Sequence, residues 1–409
     1  MRGDHKKVCV VGLGYIGLPT AAKVAESGFG VVGVDIDGDV VRNVNSGHVH
    51  IVEPGLEDCV KRAVENGLLR ASNSPETADI FIIAVPTPLI ADSNLPDTSY
   101  VEAAAEAIAP VLKIGDLVIL ESTSPVGTTS RMAEWLAAAR VDLTFPQTHG
   151  SNSDIRIAHC PERVMPGRVL EELISNDRVV GGMTLRCSEC AVDFYTAFVS
   201  GECLISSSCE TAEMVKLAEN SFRDVNIAFA NELSMICSQV GVGVNELIGL
   251  ANRHPRVNIL SPGAGVGGHC IAIDPWFLVS SAPDDAVLIR SSRQTNLRKE
   301  SWVVSRIIER AITFQRDNGH KPVIACLGLS FKPNIDDLRE SPAVRIVESL
   351  LAKGLEVLCV EPHIERHETI PTIDLEEALN KADLVVSLVQ HDQFKNVVFS
   401  DDLNFCSAN

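Results

Sequence analysis

A chain of 409 residues, 45% of them apolar, is long enough for two or three domains that each bury a core of their own. Its formal charge of −19 excludes a nucleic-acid surface, which needs a basic stripe, and an anionic membrane surface for the same reason. No uninterrupted apolar run reaches the ~18–20 residues that span a bilayer, so no membrane partner is expected and an anionic ligand must be met by a few local Arg and Lys side chains.

The start, Met1 to Lys7 followed by an apolar stretch, imitates a secretory leader. Gly12, Gly14 and Gly17 interrupt that stretch and no cleavage site follows, so a first βα unit is the better reading and a cytoplasmic location is expected. Val8–Val11, Gly30–Val34, Ile80–Val85 and Leu117–Glu121 read as buried parallel strands between helical patterns, which is a doubly wound α/β domain. Val8–Val11 runs directly into Gly12-Leu13-Gly14-Tyr15-Ile16-Gly17, and Asp35 ends the next strand. Strand, glycines, helix and acid at this spacing form a dinucleotide-binding turn, in which backbone approaches a pyrophosphate at a helix N-terminus. Asp35 accepts adenosine ribose hydroxyls and repels a 2′-phosphate, which predicts NAD rather than NADP.

Pro86-Thr87-Pro88 and Glu121-Ser122-Thr123-Ser124-Pro125 lie at the carboxyl ends of predicted strands, where open α/β sheets hold ligands. Without the glycine motif they would read as ordinary proline-terminated strand ends. The run His159 to Gly167 puts Glu162 and Arg163 at another predicted strand end. Cys187, Cys190, Cys203 and Cys209 have a loose zinc-like spacing, but one CxxC without a second tight pair does not make a metal site, and none is expected. Most of the twelve cysteines read as small buried hydrophobes.

From Thr211 to Val240 apolar residues recur in steps of three and four, at Ala218, Phe222, Val225, Phe229, Leu233, Ile236 and Val240, and Gly241 is placed to end the helix. At ~1.5 Å per residue such a helix spans ~45 Å, long enough to join two domains and offer a dimer face. Lys216, Asn220 and Arg223 share a different face, which by itself would be a solvated polar surface. The loop Gly265-Val266-Gly267-Gly268-His269-Cys270-Ile271-Ala272-Ile273-Asp274 raises a functional reading. Its glycines let backbone approach a ligand, and a nearby Lys lowers a thiol pKa. Taken alone, Cys270 would more often be a buried thiol.

A second α/β unit follows about Gly319, with strands Val323–Leu327, Glu356–Val360 and Leu384–Val389. The segment Phe331-Lys332-Pro333-Asn334 through Arg339-Glu340-Ser341-Pro342 follows its first strand and offers two cations to a pyrophosphate. The chain ends look like degenerate repeats, "SGFGVVGVDID" beside "KGLEVLCVEPH" and "ADIFIIAVPTP" beside "ADLVVSLVQHD". The predicted architecture is two Rossmann-like doubly wound domains, 1–205 and 316–409, joined by a central helical domain, 206–315.

The strings "GLGYIGLPTA", "ESTSPVGTT", "CPERVMPG", "LAENSFRDVNIAFANELS", "ANRHPRVNIL", "GVGGHCIAIDPWF" and "FKPNIDDLRESPA" together resemble the UDP-glucose/GDP-mannose dehydrogenase family over essentially the whole chain. The resemblance implies NAD-dependent oxidation of a nucleotide sugar at C6, in two hydride transfers, to a uronate for surface polysaccharide. It implies Cys270 as nucleophile, Lys216 as proton donor and acceptor, and Asn220 and Asp274 as holders of water and oxyanion. Glu162 is then the base for thioester hydrolysis and Thr123 its water-holding partner. Arg163, Val164, Lys216, Asn220, Arg223, His254, Arg256, Gly267, Phe331 and Lys332 match substrate positions, with Arg256 reaching a neighbouring protomer's site in a homodimer. Tyr15, Ile16, Asp35, Thr87, Thr128 and Arg339 match cofactor positions. His269 and the Asn252 to Leu260 string resemble the N-acetyl-hexosamine branch, implying UDP-N-acetyl-D-mannosamine, with UDP-N-acetylglucosamine or UDP-glucose as alternatives.

One departure is "VVFSDDLNFCSAN" in place of a further strand with an Asp-x-Arg/Lys-Gly-like segment, so a shortened C-terminal sheet is expected. Two rivals stand beside this reading. A one-step hydroxyacid dehydrogenase shares the Rossmann domain and long helix but has no use for a Cys in "GGHCIAID". A non-catalytic NAD or nucleotide binder would bind without forming NADH.

Overall fold

The computed structural model describes residues 6–91, 93–364, 367, 369–400 and 403–406. Two compact units divide at Ala218 and Glu219.

The first unit is built on eight strands: β1 (Lys7–Val11), β2 (Gly30–Val34), β3 (Leu69–Ser72), β4 (Ile80–Ile83), β5 (Leu117–Leu120), β6 (Arg156–His159), β7 (Arg178–Gly182) and β8 (Cys203–Ile205). They lie in the order β3-β2-β1-β4-β5-β6-β7-β8, and every pair is parallel except β6 with β7. Strands β1, β4 and β5 read as continuous apolar runs because both faces are covered. Val8 and Val10 face one core, shared with the helices Gly17–Glu26, Leu56–Glu65 and Leu185–Tyr195. Cys9 and Val11 face the other, shared with Ser99–Ile108 and Thr128–Ala139. The order of strands, laid down from β1 outward to β3, resumes on the other side of β1 with β4, so the switch point of the sheet falls at the glycine turn.

The second unit carries β9 (Val323–Leu327), β10 (Glu356–Val360) and β11 (Leu384–Ser387), parallel in the order β10-β9-β11. The expected α/β organisation is therefore present in both units. Among the described residues this sheet has three strands, followed by an isolated parallel bridge from Ser387 to Asn404.

The long helix runs from Cys209 to Val240. A second of equal length, Val287–Asn318, ends at Gly319 in the left-handed conformation that caps helices. Sequence periodicity reads this region only as polar and helical, because its buried positions include Ser292, Arg293, Asn296 and Lys299. Ser292 donates to the Leu288 carbonyl of its own helix, while the other three meet polar groups of the first long helix. Arg293 donates to Asp224 at 2.6 Å, Asn231 to Asn296 at 2.9 Å, and Lys299 to Ser234 at 2.6 Å. Buried polar groups persist when each finds a partner. The apolar stripe of the first helix consequently faces outward, with Phe222 67% and Val240 63% exposed.

Candidate active site

The glycine turn after β1 has the shape that a dinucleotide requires. At Gly12, where φ is +93°, a Cβ would lie 2.7 Å from the Ala84 carbonyl oxygen, and at Gly17 it would collide with the Gly12 carbonyl. Gly14 faces open space, leaving its backbone accessible. Asp35 directly follows β2 beside this turn, its Oδ2 accepting the Leu13 N–H at 2.9 Å and its Oδ1 that of Asp37 at 3.0 Å. A carboxylate held by two backbone amides keeps a fixed direction toward the crevice. Tyr15 and Ile16 form the turn into the helix Gly17–Glu26. At the neighbouring strand ends, Thr87 Oγ1 donates to the Thr123 carbonyl at 2.5 Å and Thr128 Oγ1 to the Pro125 carbonyl at 2.6 Å. The residues expected to hold the cofactor in the first unit thus lie at the carboxyl edge of one sheet. Arg339 belongs to the second unit, where it pairs with Asp337 at 2.7 Å.

Glu162 follows β6 and is nearly buried. Its Oε1 accepts the Arg163 N–H at 2.6 Å and its Oε2 accepts from Arg178 at 2.7 Å. The same Arg178 nitrogen lies 3.8 Å from Glu121, whose Oε1 accepts the Tyr195 hydroxyl at 2.6 Å. Burial, reinforced by the Glu162 charge, pushes Glu121 up to about 7 despite Arg178. The loop bearing Glu162, Arg163 and Val164 is secured by two more glutamates. Glu53 accepts from the Gly167 and Val169 amides at 2.8 and 2.7 Å, and Glu172 from Met165 at 2.8 Å. Arg178, Glu121, Tyr195 and Glu53 are absent from the sequence-derived site. The only signal was Glu121 lying within a strand-end string, since their partners are remote in the chain.

Lys216, on the long helix, is half-buried within the first unit. In the second unit Asn220 is buried and donates to Asp274 at 2.5 Å. Cys270 is exposed, and its carbonyl accepts the Ile273 and Asp274 amides at 3.1 and 2.8 Å, so a tight turn presents the thiol just before the helix Asp274–Ser281. Among the described residues no other cysteine is exposed; burial raises several, Cys160 to about 12 and Cys9 to about 11. A Cβ on Gly267 would strike the Glu340 carbonyl at 2.5 Å and Phe331 Cβ at 2.8 Å, and one on Gly268, where φ is +82°, the Phe331 ring at 2.7 Å. The glycines before Cys270 therefore allow this loop to lie directly on the Phe331 turn. A cavity of about 460 Å³ opens beside it, lined by Gly263, Gly265, Ser330, Phe331, Val389 and Lys395. Arg223 is exposed, as are His254 and Arg256, which project from a loop closed by Asn252, whose side chain bonds Ile259 through both N–H and carbonyl.

Residues 6–199 match the NAD binding domain of the UDP-glucose/GDP-mannose dehydrogenase family, 210–298 its central domain and 325–405 its UDP binding domain. The chain belongs to this family. It is 57% identical over 399 residues to an NDP-N-acetyl-D-galactosaminuronic acid dehydrogenase of Ralstonia nicotianae, covering 96% of this chain and 93% of that one. It is 56% identical over 407 residues to the UDP-N-acetyl-D-mannosamine dehydrogenase of Escherichia coli K12, covering 97% and 96%. The UDP-D-ManNAc dehydrogenase structure from Pyrococcus horikoshii superimposes with a TM-score of 0.87 at 41% identity, over 96% of this chain and 91% of that one. The protein is an NAD-binding nucleotide-sugar dehydrogenase, and no helix among its described residues is long and apolar enough to cross a membrane.

Proposed function

We propose that this dehydrogenase oxidises C6 of UDP-N-acetyl-D-mannosamine to the uronate, in the cytoplasm, to supply surface polysaccharide. The observation that carries the covalent part is the exposure of Cys270, alone among the described cysteines, on a turn closed by Asp274. NAD, when bound, accepts one hydride in each of the two oxidations. Lys216 takes the C6 hydroxyl proton in the first. Cys270 then adds through Sγ to the aldehyde carbon, and Lys216 and Asn220 steady the oxygen of the resulting hemithioacetal. After the second oxidation, water held near Thr123 loses a proton to Glu162 and cleaves the thioester, which releases the carboxylate and restores the thiol.

Gly12, Gly14 and Gly17, with Tyr15, Ile16, Asp35, Thr87, Thr128 and Arg339, hold the cofactor in this reading. Arg163, Val164, Arg223, His254, Gly267, Phe331 and Lys332 hold the substrate with Lys216 and Asn220. We assign domains to 1–205, 206–315 and 316–409. The outward apolar stripe of the long helix packs against a second copy, whose Arg256 completes the neighbouring site. The E. coli and P. horikoshii relatives' names support the mannosamine substrate, while the Ralstonia name favours a galacto-configured sugar. Assaying NADH formation with UDP-N-acetylmannosamine, -glucosamine and -galactosamine and with UDP-glucose decides. The first should have the highest kcat/KM, and a preference for any other overturns the substrate assignment.

A further inference from the structure

Behind the Phe331-Lys332 turn lies a buried histidine. His391 is 0% exposed, between the end of β11 and the start of β9's loop. Its Nδ1 accepts the Asn334 N–H at 2.9 Å, and its Nε2 lies 3.0 Å from Glu361 Oε2. The amide fixes Nδ1 as acceptor, so the ring proton sits on Nε2 and is donated to the carboxylate. The same Glu361 oxygen accepts the Leu329 and Ser330 amides at 2.7 and 2.9 Å, while its Oε1 accepts that of His363 at 3.1 Å. Burial would raise Glu361, but these donors, His391 foremost, outweigh it and lower its pKa.

The turn between these anchors is strained. Asn334 has φ +61°, in the left-handed region that residues other than Gly adopt at a cost. Its side-chain oxygen accepts the Asp392 N–H at 2.9 Å, and Ser330 Oγ donates to the Lys332 carbonyl at 2.7 Å. The bonds to Ser330 and Asn334 thus come from Glu361, from the His391–Asp392 pair and from within the turn, while the Phe331 N–H donates to the Asp337 carbonyl at 3.1 Å. Phe331 in turn supports Gly267 and Gly268, just before Cys270.

We propose that His391, oriented by Glu361, is a positioning residue for substrate binding: it sets the Ser330–Asn334 turn so that Phe331 and Lys332 meet the diphosphate of the UDP-sugar. This rests on the proposed role of Phe331 and Lys332. A histidine that merely fills the core would affect stability and leave ligand affinity alone.

Three variants of the full-length enzyme separate the cases, with UDP and NAD affinities measured by calorimetry and Tm recorded. Lys332→Ala should weaken UDP binding about tenfold through loss of a charged contact. His391→Gln keeps a donor for Glu361 but offers no acceptor to the Asn334 amide. It should weaken UDP binding by roughly fivefold or more, the effect of one unsatisfied donor, and raise KM for the sugar more than it lowers kcat, with NAD affinity unchanged. His391→Asn supplies an acceptor where Nδ1 was and should bind UDP within about twofold of wild type. Nitrogen chemical shifts of His391 in the native enzyme should report the ring proton on Nε2.

If Lys332→Ala weakens UDP binding and His391→Gln does not, the positioning role is wrong while the substrate reading stands. If Lys332→Ala has no effect, that reading of the turn fails and this proposal with it. Should His391→Gln not fold, a folded His391→Asn with strongly reduced UDP affinity, or a ring protonated on Nδ1, overturns the assignment.

Discussion

Arg178 Nη1 donates to Glu162 Oε2 at 2.7 Å, with the arginine 3% exposed and the glutamate 6%. The pair is buried, so the guanidinium fixes the direction of the carboxylate proposed as the base for thioester hydrolysis. Arg178→Lys keeps a charge but loses the planar fork. It should lower steady-state kcat about 10- to 100-fold, while the first turnover still produces its two NADH, seen as a burst with thioester on Cys270. Unchanged steady-state turnover would exclude Arg178 from that step.

Glu121 gives a pH signature. Its folded-state value near 7 lies above the ordinary 4.5, so between those values the folded chain holds a proton that the unfolded chain has lost. Stability from this group therefore falls as pH rises from about 4.5 through 7. Glu121→Gln keeps an acceptor for Tyr195 and removes the ionisation. Its Tm relative to wild type should rise between pH 5 and pH 8; a flat difference would show that Glu121 stays ionised throughout.

Asp35 should impose a preference for NAD, since both its oxygens are fixed by backbone amides where a 2′-phosphate would approach. Comparable kcat/KM with NADP would contradict this, and Asp35→Ala should narrow the ratio.

Some of this was legible in the sequence and some was hidden by distance along the chain. β1, β2, β9 and β10 were readable because β-branched runs flank glycine turns. β3 and β8, with Arg70 and the exposed Leu204 and Ile205, carry no such pattern. The stripe Phe222, Phe229, Ile236 and Val240 marks the helix correctly, but it does not tell which residues the helix buries. Here the inside belongs to Asp224, Asn231 and Ser234, whose partners Arg293, Asn296 and Lys299 lie more than sixty residues away. Cys270, Glu162 and the glycine turn stood out because each sits in a compact motif. Arg178, Glu53 and His391 act through contacts with other segments of the chain that no local motif announces.

That exposed stripe makes the proposed dimer testable. Phe222→Asp combined with Phe229→Asp changes two positions that are exposed in the single chain and should leave the fold of the protomer intact by circular dichroism. Sedimentation should show a monomer, with activity reduced because Arg256 no longer reaches the neighbouring site. A dimeric, fully active double variant would place the interface elsewhere.

The central claim is that Cys270 carries the sugar between two oxidations, and its most direct measurement is NADH formed per UDP-sugar consumed by Cys270→Ser. Wild type should give two NADH per sugar. The serine variant, with NAD binding and Tm intact, should fail to complete turnover, because an alkoxide is hard to generate at neutral pH and its ester hydrolyses more slowly than a thioester. Normal turnover with two NADH per sugar in Cys270→Ser would contradict the covalent mechanism outright.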